Sequence, residues 1–264
     1  MLSPLGQLVA GTIGVLALML VVWLVQLRTR DAGLVDVAWS ASVGMMAIFA
    51  AWTSDGDAAR RALLGLLAGL WSLRLAVYLL RNRVIGHAED ARYRELRERW
   101  GRAAGKNMLV FFLFQGVLVM VLGLPFLVVA HSPSPGPTTF DLTGLALGLA
   151  AVFGESLADR QLARFRSEPA NRGRTCRVGL WKYSRHPNYF FEWLHWWAYV
   201  LLGLSSPWWA VTLVGPVLML FLLFKVTGIP ATEQRALISR GEDYRHYQET
   251  TSPFIPWFPR RISR

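Results

Sequence analysis

The chain has 264 residues, of which 53% are apolar and only 17% charged, with 12 tryptophans and a formal net charge of +11. Soluble domains carry roughly a quarter charged residues, so this balance excludes an ordinary water-soluble protein and points to the bilayer as solvent. The single cysteine, Cys176, excludes an intramolecular disulfide and reads as an unreactive loop residue.

Seven apolar runs are long enough to cross about 30 Å of hydrocarbon as helices. They cover Leu5 to Leu27, Leu34 to Trp52, Ala62 to Leu80, Leu109 to Ala130, Leu142 to Arg164, Pro187 to Leu204 and Trp208 to Thr227. The expected fold is therefore an all-α integral membrane protein, one polytopic domain over 1–264, with four spanning helices in 1–130 and three in 131–264. The first run lacks a charged n-region and a small-x-small cleavage site, so it reads as a transmembrane helix rather than a signal peptide. Segment 81–106 holds eight Lys or Arg and segment 164–185 holds seven, whereas "TSDGDAARR" holds two and "HSPSPGPTTFD" none. The positive-inside rule then predicts the N-terminus outside and the C-terminus in the cytosol, the inner membrane being the location if the host is bacterial. Divided in this way, the positive charge suits anionic lipid headgroups or a phosphorylated cytosolic ligand and gives no reason to expect nucleic acid.

Polar residues at membrane depth are costly and mark cavities or partners. The second run opens "RDAGLVDVAWS", with Asp36 and Trp39 three apart. Asp36 is open to two readings, an acid stabilised by the helix dipole in the first turn or a proton donor near a reacting centre. In the third run Trp71, Arg74, Tyr78 and Asn82 follow spacings of three, four and four, which places them on one helical face. Arg74 either snorkels to the interface or lines a polar pocket. In the fifth, Glu155 and Asp159 are four apart and Arg166 continues their stripe, forming a structural ion pair or a ligand site.

The sixth run begins in "LWKYSRHPNYFFEW". Pro187 suits a first helical turn, which puts Asn188 and Glu192 on one face, continued by His195 and Trp196. The helix N-terminus beside Lys182, Arg185 and His186 makes an expected anion site. His186 is open to two readings, a helix cap or a participant in chemistry. Neither a Rossmann fingerprint, a P-loop nor H-E-x-x-H is present, so no metal is expected and any nucleotide must be held by loops and helix ends.

The runs "GLWKYSRHPNYFFEW", "ADRQLARFR" and "GEDYRHYQETTSPFIPWFP" resemble the steroid 5α-reductase family, including bacterial members, and more distantly the sterol reductases. The resemblance spans about Val152 to Pro259 and is weaker before it, resting there on "GLVDVAWS" and the face from Trp71 to Arg83. It implies a monomeric membrane oxidoreductase that takes NADPH from the cytosol and a steroid or other lipid-soluble enone from the bilayer. Residues 1–130 would then form most of the substrate pocket and 131–264 most of the cofactor site. Asn188 and Glu192 match the family's nicotinamide contacts, Asp159 and Arg166 its acid and arginine in the fifth helix, and Arg74, Tyr78 and Asn82 its third-helix contacts. Arg83, Glu155, Arg174, Lys182, Tyr183, Arg185, His186, Glu233, Arg235 and Tyr244 complete the NADPH site that the resemblance implies. The sequence departs from the mammalian pattern at Trp71, where that pattern has a tyrosine, at Glu155, where it has an amide, and at Glu233, where it has a histidine.

Saturating a 3-oxo-4-ene needs a hydride at the β carbon, a proton at the α carbon and, between those two steps, a hydrogen-bond donor to the oxygen of the enolate. Asp36, Trp39, Trp71 and Tyr78 are the candidate donors. Two other readings stand beside this one. Isoprenylcysteine and phospholipid methyltransferases, which use S-adenosylmethionine, also carry an "RHPxY" run; a transporter or lipid-binding protein would instead spread polar residues through the bilayer in repeated halves.

Overall fold

The computed structural model describes residues 1–226 and 228–260. Thr227, where the seventh run was expected to end, and the last four residues of the basic tail lie outside the described residues. The chain is all helical, with no strand among the described residues. Its long helices are α1 (Pro4–Thr29), α2 (Leu34–Thr53), α3 (Ala58–Leu79), the shorter α4 (Ala91–Trp100), α5 (Ala104–Ala130), α6 (Thr139–Ser167) and α7 (Pro187–Gly203). They are followed by the short helices α8 (Val214–Phe221), α9 (Ile229–Arg240) and α10 (Glu242–Thr250).

Six helical stretches are long and apolar enough to cross a membrane: Pro4–Thr29, Leu34–Thr53, Ala58–Val84, Ala91–Ala130, Thr139–Ser167 and Trp209–Arg240. The protein is therefore a multi-pass integral membrane protein. The sixth expected span is α7, whose 17 residues rise only about 26 Å. The seventh is broken into a 3₁₀ turn at Trp209–Leu213, α8 and a π turn at Leu222–Val226.

The chain forms two compact units, Met1–Leu142 with Tyr199–Val214, and Thr143–Ala198 with Gly215 onward. In the first, the starts of α1 and α3 are fixed by side-chain caps. The Ser3 hydroxyl accepts from the Gly6 N–H at 3.1 Å ahead of Pro4, and Asp57 accepts from the Arg60 N–H at 2.9 Å. Helices α2 and α3 approach closely because Gly44 has no side chain. Its N–H donates to Ser72 Oγ at 3.2 Å, the Ser72 hydroxyl donates to the Ser40 carbonyl, and a Cβ on Gly44 would collide with Ser72.

One end of this unit is held by a fully buried ion pair. Arg60 reaches Asp141 through Nε and Nη2, both at 2.9 Å. The guanidinium also donates to the Ser132 hydroxyl and the Ser134 carbonyl, while Asp141 accepts from the amide and hydroxyl of Thr138. Every charged atom of the pair thus has a partner, the condition under which a buried ion pair is tolerated.

In the second unit α6 and α7 pack tightly, since a Cβ on Gly154 would fall on the Phe191 ring. The loop between them is pinned to α6 by Trp181, whose indole N–H donates to the Ala158 carbonyl at 2.9 Å, and by Gln161, which accepts from the Leu180 N–H at 2.8 Å. Gly179 there has φ of +57°, a conformation that favours glycine. The tail, which looks merely polar and basic in the sequence, folds as α9 and α10 around Ala236, Tyr244 and Tyr247.

Candidate functional site

The second unit gathers most of the residues expected to bind a cofactor. On α6, Glu155 and Asp159 are 3% and 6% exposed, one helical turn apart. On α7, Asn188 occupies the first turn that Pro187 begins, and its amide nitrogen donates to Asp159 Oδ1 at 3.3 Å. That bond orients the amide and leaves Asn188 Oδ1 buried with no hydrogen-bond partner. Glu192 follows one turn along, half-buried, and His195 is fully buried. An orphaned buried amide oxygen is costly and uncommon, so this acceptor faces a place where a donor is missing.

The basic run before α7 behaves differently from the open anion site expected. Arg185 Nε donates to Glu233 Oε1 at 2.6 Å, and its Nη1 donates to the carbonyls of Gln248 and Thr251 at 2.7 and 2.9 Å. His186 Nε2 lies 3.2 Å from the same Glu233 oxygen, and the Gln248 amide donates to the other at 2.8 Å. The Tyr247 hydroxyl donates to the Trp181 and Ser184 carbonyls, and the Ser184 hydroxyl donates to the Phe254 carbonyl at 2.7 Å. Arg185 and His186 therefore hold the tail against the start of α7, with the chain's own Glu233 as their anion. Burial beside Glu233 raises the Tyr244 hydroxyl pKa, which keeps that phenol neutral.

Among the other cations of this unit, Arg166, Arg174, Lys182 and Arg235 are exposed. Lys182 Nζ lies 5.8 Å over the Tyr183 ring, and the Tyr183 carbonyl accepts from the Trp257 N–H at 2.9 Å. Asp243 is tied to the loop before the "LWKY" turn, accepting from the Thr175 N–H at 2.7 Å and from Arg177 at 2.8 Å.

The first unit holds the remaining expected residues. Both oxygens of Asp36 accept, one from the Tyr93 hydroxyl at 2.6 Å and one from Arg92 at 2.9 Å. With both of its oxygens engaged, Asp36 ties α2 to α4, which favours a structural role for it. Asp90 caps α4 and shares Arg92 at 3.0 Å. Burial would raise the Asp90 pKa, but the hydrogen bonds and charge of Arg92 outweigh it and hold the carboxyl at about 2. Trp39 and Trp71 meet edge to face with ring centroids 6.5 Å apart, and the Trp39 indole N–H is buried without a partner.

The face predicted on α3 is only partly kept. Trp71 is 1% exposed, and the Arg74 guanidinium lies 5.8 Å over the Tyr78 ring. Asn82, however, sits in the π turn Leu80–Val84, is exposed, and donates to the Tyr78 carbonyl at 2.8 Å. A π turn widens the winding, so i,i+4 spacing no longer keeps residues on one stripe. Arg83 is 44% exposed and lies 3.8 Å from Asp90.

Sequence reasoning missed Gln248, Ser184 and Tyr247 as anchors of the tail, and Arg92 and Tyr93 as partners of Asp36. The one available signal was Tyr244 and Tyr247 three apart in a polar stretch, the spacing of an amphipathic helix. Among the described residues, no group of three or more His, Cys, Asp or Glu could hold a metal ion.

A family model described as a protein of unknown function (DUF1295) matches residues 22–251. No curated protein and no solved structure matches.

Proposed function

The chain belongs to the DUF1295 family, and we propose that it is an NADPH-dependent reductase acting on the conjugated double bond of a lipid-soluble enone such as a 3-oxo-4-ene steroid. The family is related to membrane proteins like the steroid 5α-reductases and the isoprenylcysteine methyltransferases. The observation that carries the reading is the buried Asn188 Oδ1, oriented by Asp159 and left without a donor. A nicotinamide carboxamide supplies the N–H that this oxygen needs, and Glu155, Asp159 and Glu192 fit the polar edge of such a ring; by this test the residues suit the cofactor.

When bound, NADPH supplies the hydride. The protein's own residues do the rest. Asn188 and Glu192 orient the nicotinamide end, and Asp159 holds the Asn188 amide in its rotamer. The exposed Arg166, Arg174, Lys182 and Arg235 provide positive charge for the cofactor's phosphates. The Trp39 indole N–H, buried and unpartnered within its own unit, would serve as a donor to an enolate oxygen, a role for which such an N–H is preorganised. In this reading α7 makes a seventh span, the N-terminus lies outside, and the basic loops with α9 and α10 face the cytosol, following the distribution of Lys and Arg.

The test is NADPH oxidation by the purified protein with a 3-oxo-4-ene steroid in detergent. Steroid-dependent turnover that Glu192→Ala and Trp39→Phe each lower by at least tenfold is expected. Turnover absent in wild type, together with methyl transfer from S-adenosylmethionine to a lipid, overturns the proposal.

A further inference from the structure

The end of the tail carries large apolar side chains that its own unit leaves open. Ile255, Trp257 and Phe258 are 58%, 69% and 76% exposed, and a cluster of this kind marks a contact with a partner or a membrane. The backbone that carries them is fixed. The Ser184 hydroxyl donates to the Phe254 carbonyl at 2.7 Å, the Trp257 N–H donates to the Tyr183 carbonyl at 2.9 Å, and the Arg260 N–H donates to the Thr250 carbonyl at 2.8 Å.

The neighbours of Phe254 set the depth of this segment. Its ring meets those of Phe190 and Trp193 on α7 at centroid separations of 5.8 and 5.6 Å, and that of Phe224 at 5.2 Å. Trp193 lies six residues beyond Pro187, about 9 Å along the helix. Phe224 belongs to the stretch Trp209–Arg240, which is long and apolar enough to cross a membrane, and the nearby Phe221 and Val226 are exposed, as lipid-facing residues are. Three residues after Phe254, Trp257 is bonded to Tyr183, which precedes α7. Between Phe254 and Phe258 the chain therefore climbs from beside the second turn of α7 to a level outside that helix, across the zone where hydrocarbon gives way to headgroups.

The residue types suit that boundary. Tryptophan is enriched there because its ring is apolar and its N–H polar. Pro253, Pro256 and Pro259 have no N–H to leave unsatisfied away from water. Lys182 and Arg260, both exposed, supply positive charge for anionic headgroups at the outer end. A protein partner would have to reach the inner end of the segment through lipid, so the bilayer itself is the better occupant.

We propose that Ile255, Trp257 and Phe258 form an interfacial anchor, inserting their side chains at the boundary between headgroups and acyl chains, so that the chain returns to the membrane surface after α9 and α10. The proposal rests on α7 lying in the bilayer, as in the topology proposed above, and on nothing about cofactor or substrate.

Spin labels on Ile255→Cys and on Phe258→Cys, in nanodiscs containing phosphatidylglycerol, test it; with two positions, one variant that folds poorly leaves the other. Wild type is the labelling blank, since its only cysteine, Cys176, is buried. Glu242→Cys on α10, where the native side chain is 82% exposed, is the aqueous reference, and Phe221→Cys is the membrane reference. Both tail labels are expected to collide freely with oxygen, as at Phe221, and about tenfold less than the Glu242 label with a water-soluble nickel chelate. A folded tail label as open to the chelate as the Glu242 label, with Phe221 shielded, overturns the proposal. A Phe221 label that is open as well overturns the placement of these helices in the bilayer along with it.

Discussion

Two buried polar centres, one in each unit, have opposite finishes. In the first unit Arg60 and Asp141 satisfy each other twice and recruit Ser132, Ser134 and Thr138, so no charged atom lacks a partner. In the second, Asp159 fixes the amide of Asn188 but leaves its oxygen buried and unmet. A closed network of this kind leaves no group for a ligand to satisfy, and an incomplete one costs stability unless a ligand completes it. Under the proposed function the first centre is structural and the second binds a ligand.

The largest effect is expected where the network is closed. Arg60→Ala leaves Asp141 buried and unpaired and should destabilise the protein by about 3–5 kcal/mol, read as a lower thermal midpoint in detergent. Arg60→Met combined with Asp141→Leu should recover most of that loss, because both desolvated charges are gone. Full loss in the double variant would mean that the pair does more than pack.

The latch between Arg185, His186 and Glu233 comes next. Glu233→Ala removes the acceptor of three contacts and should cost about 2–3 kcal/mol, with α9 and α10 becoming the first segment cut in limited proteolysis. Cleavage elsewhere first would break the assignment of Arg185 to holding the tail.

At the open centre the signs reverse. Asn188→Ala should change the melting midpoint little while weakening NADPH binding about tenfold, the value of one hydrogen bond. A large loss of stability with unchanged cofactor affinity would turn this centre into a second structural one.

The smallest effect is a pH dependence at Asp243. Burial pushes its carboxyl up, but hydrogen bonds from Thr175 and the charge of Arg177 outweigh that and hold it below its usual 3.8. A lowered folded value means stability that is complete at neutral pH and lost as pH falls through the folded value. Asp243→Asn should therefore flatten the loss of tail protection below about pH 4, followed by hydrogen exchange.

The membrane helices were largely legible in the sequence because long apolar runs have one solution in a bilayer. The starts of α2 and α7 fall where Leu34 and Pro187 were expected to begin them, and α1, α3, α5 and α6 extend their runs by a few residues into capped or polar ends. What escaped was set by pairing between distant residues. The charges of "TSDGDAARR" looked like topology signals, yet Arg60 is fully buried 81 residues from its partner Asp141. The anion site expected at Lys182, Arg185 and His186 is not open, because Arg185 and His186 hold the chain's own Glu233, and no local pattern shows that Glu233 reaches back 48 residues to do so. Asn82 was placed on a face that a π turn then rotates away, a change of winding that spacing alone does not reveal.

The central claim is that Asn188 completes a nucleotide site, and equilibrium titration of the purified protein tests it most directly, with NADPH and S-adenosylmethionine run in parallel. Saturable binding of NADPH, weakened about tenfold by Asn188→Ala and not competed by S-adenosylmethionine, is the predicted result. Binding of S-adenosylmethionine in its place, or NADPH binding indifferent to Asn188→Ala, would contradict it.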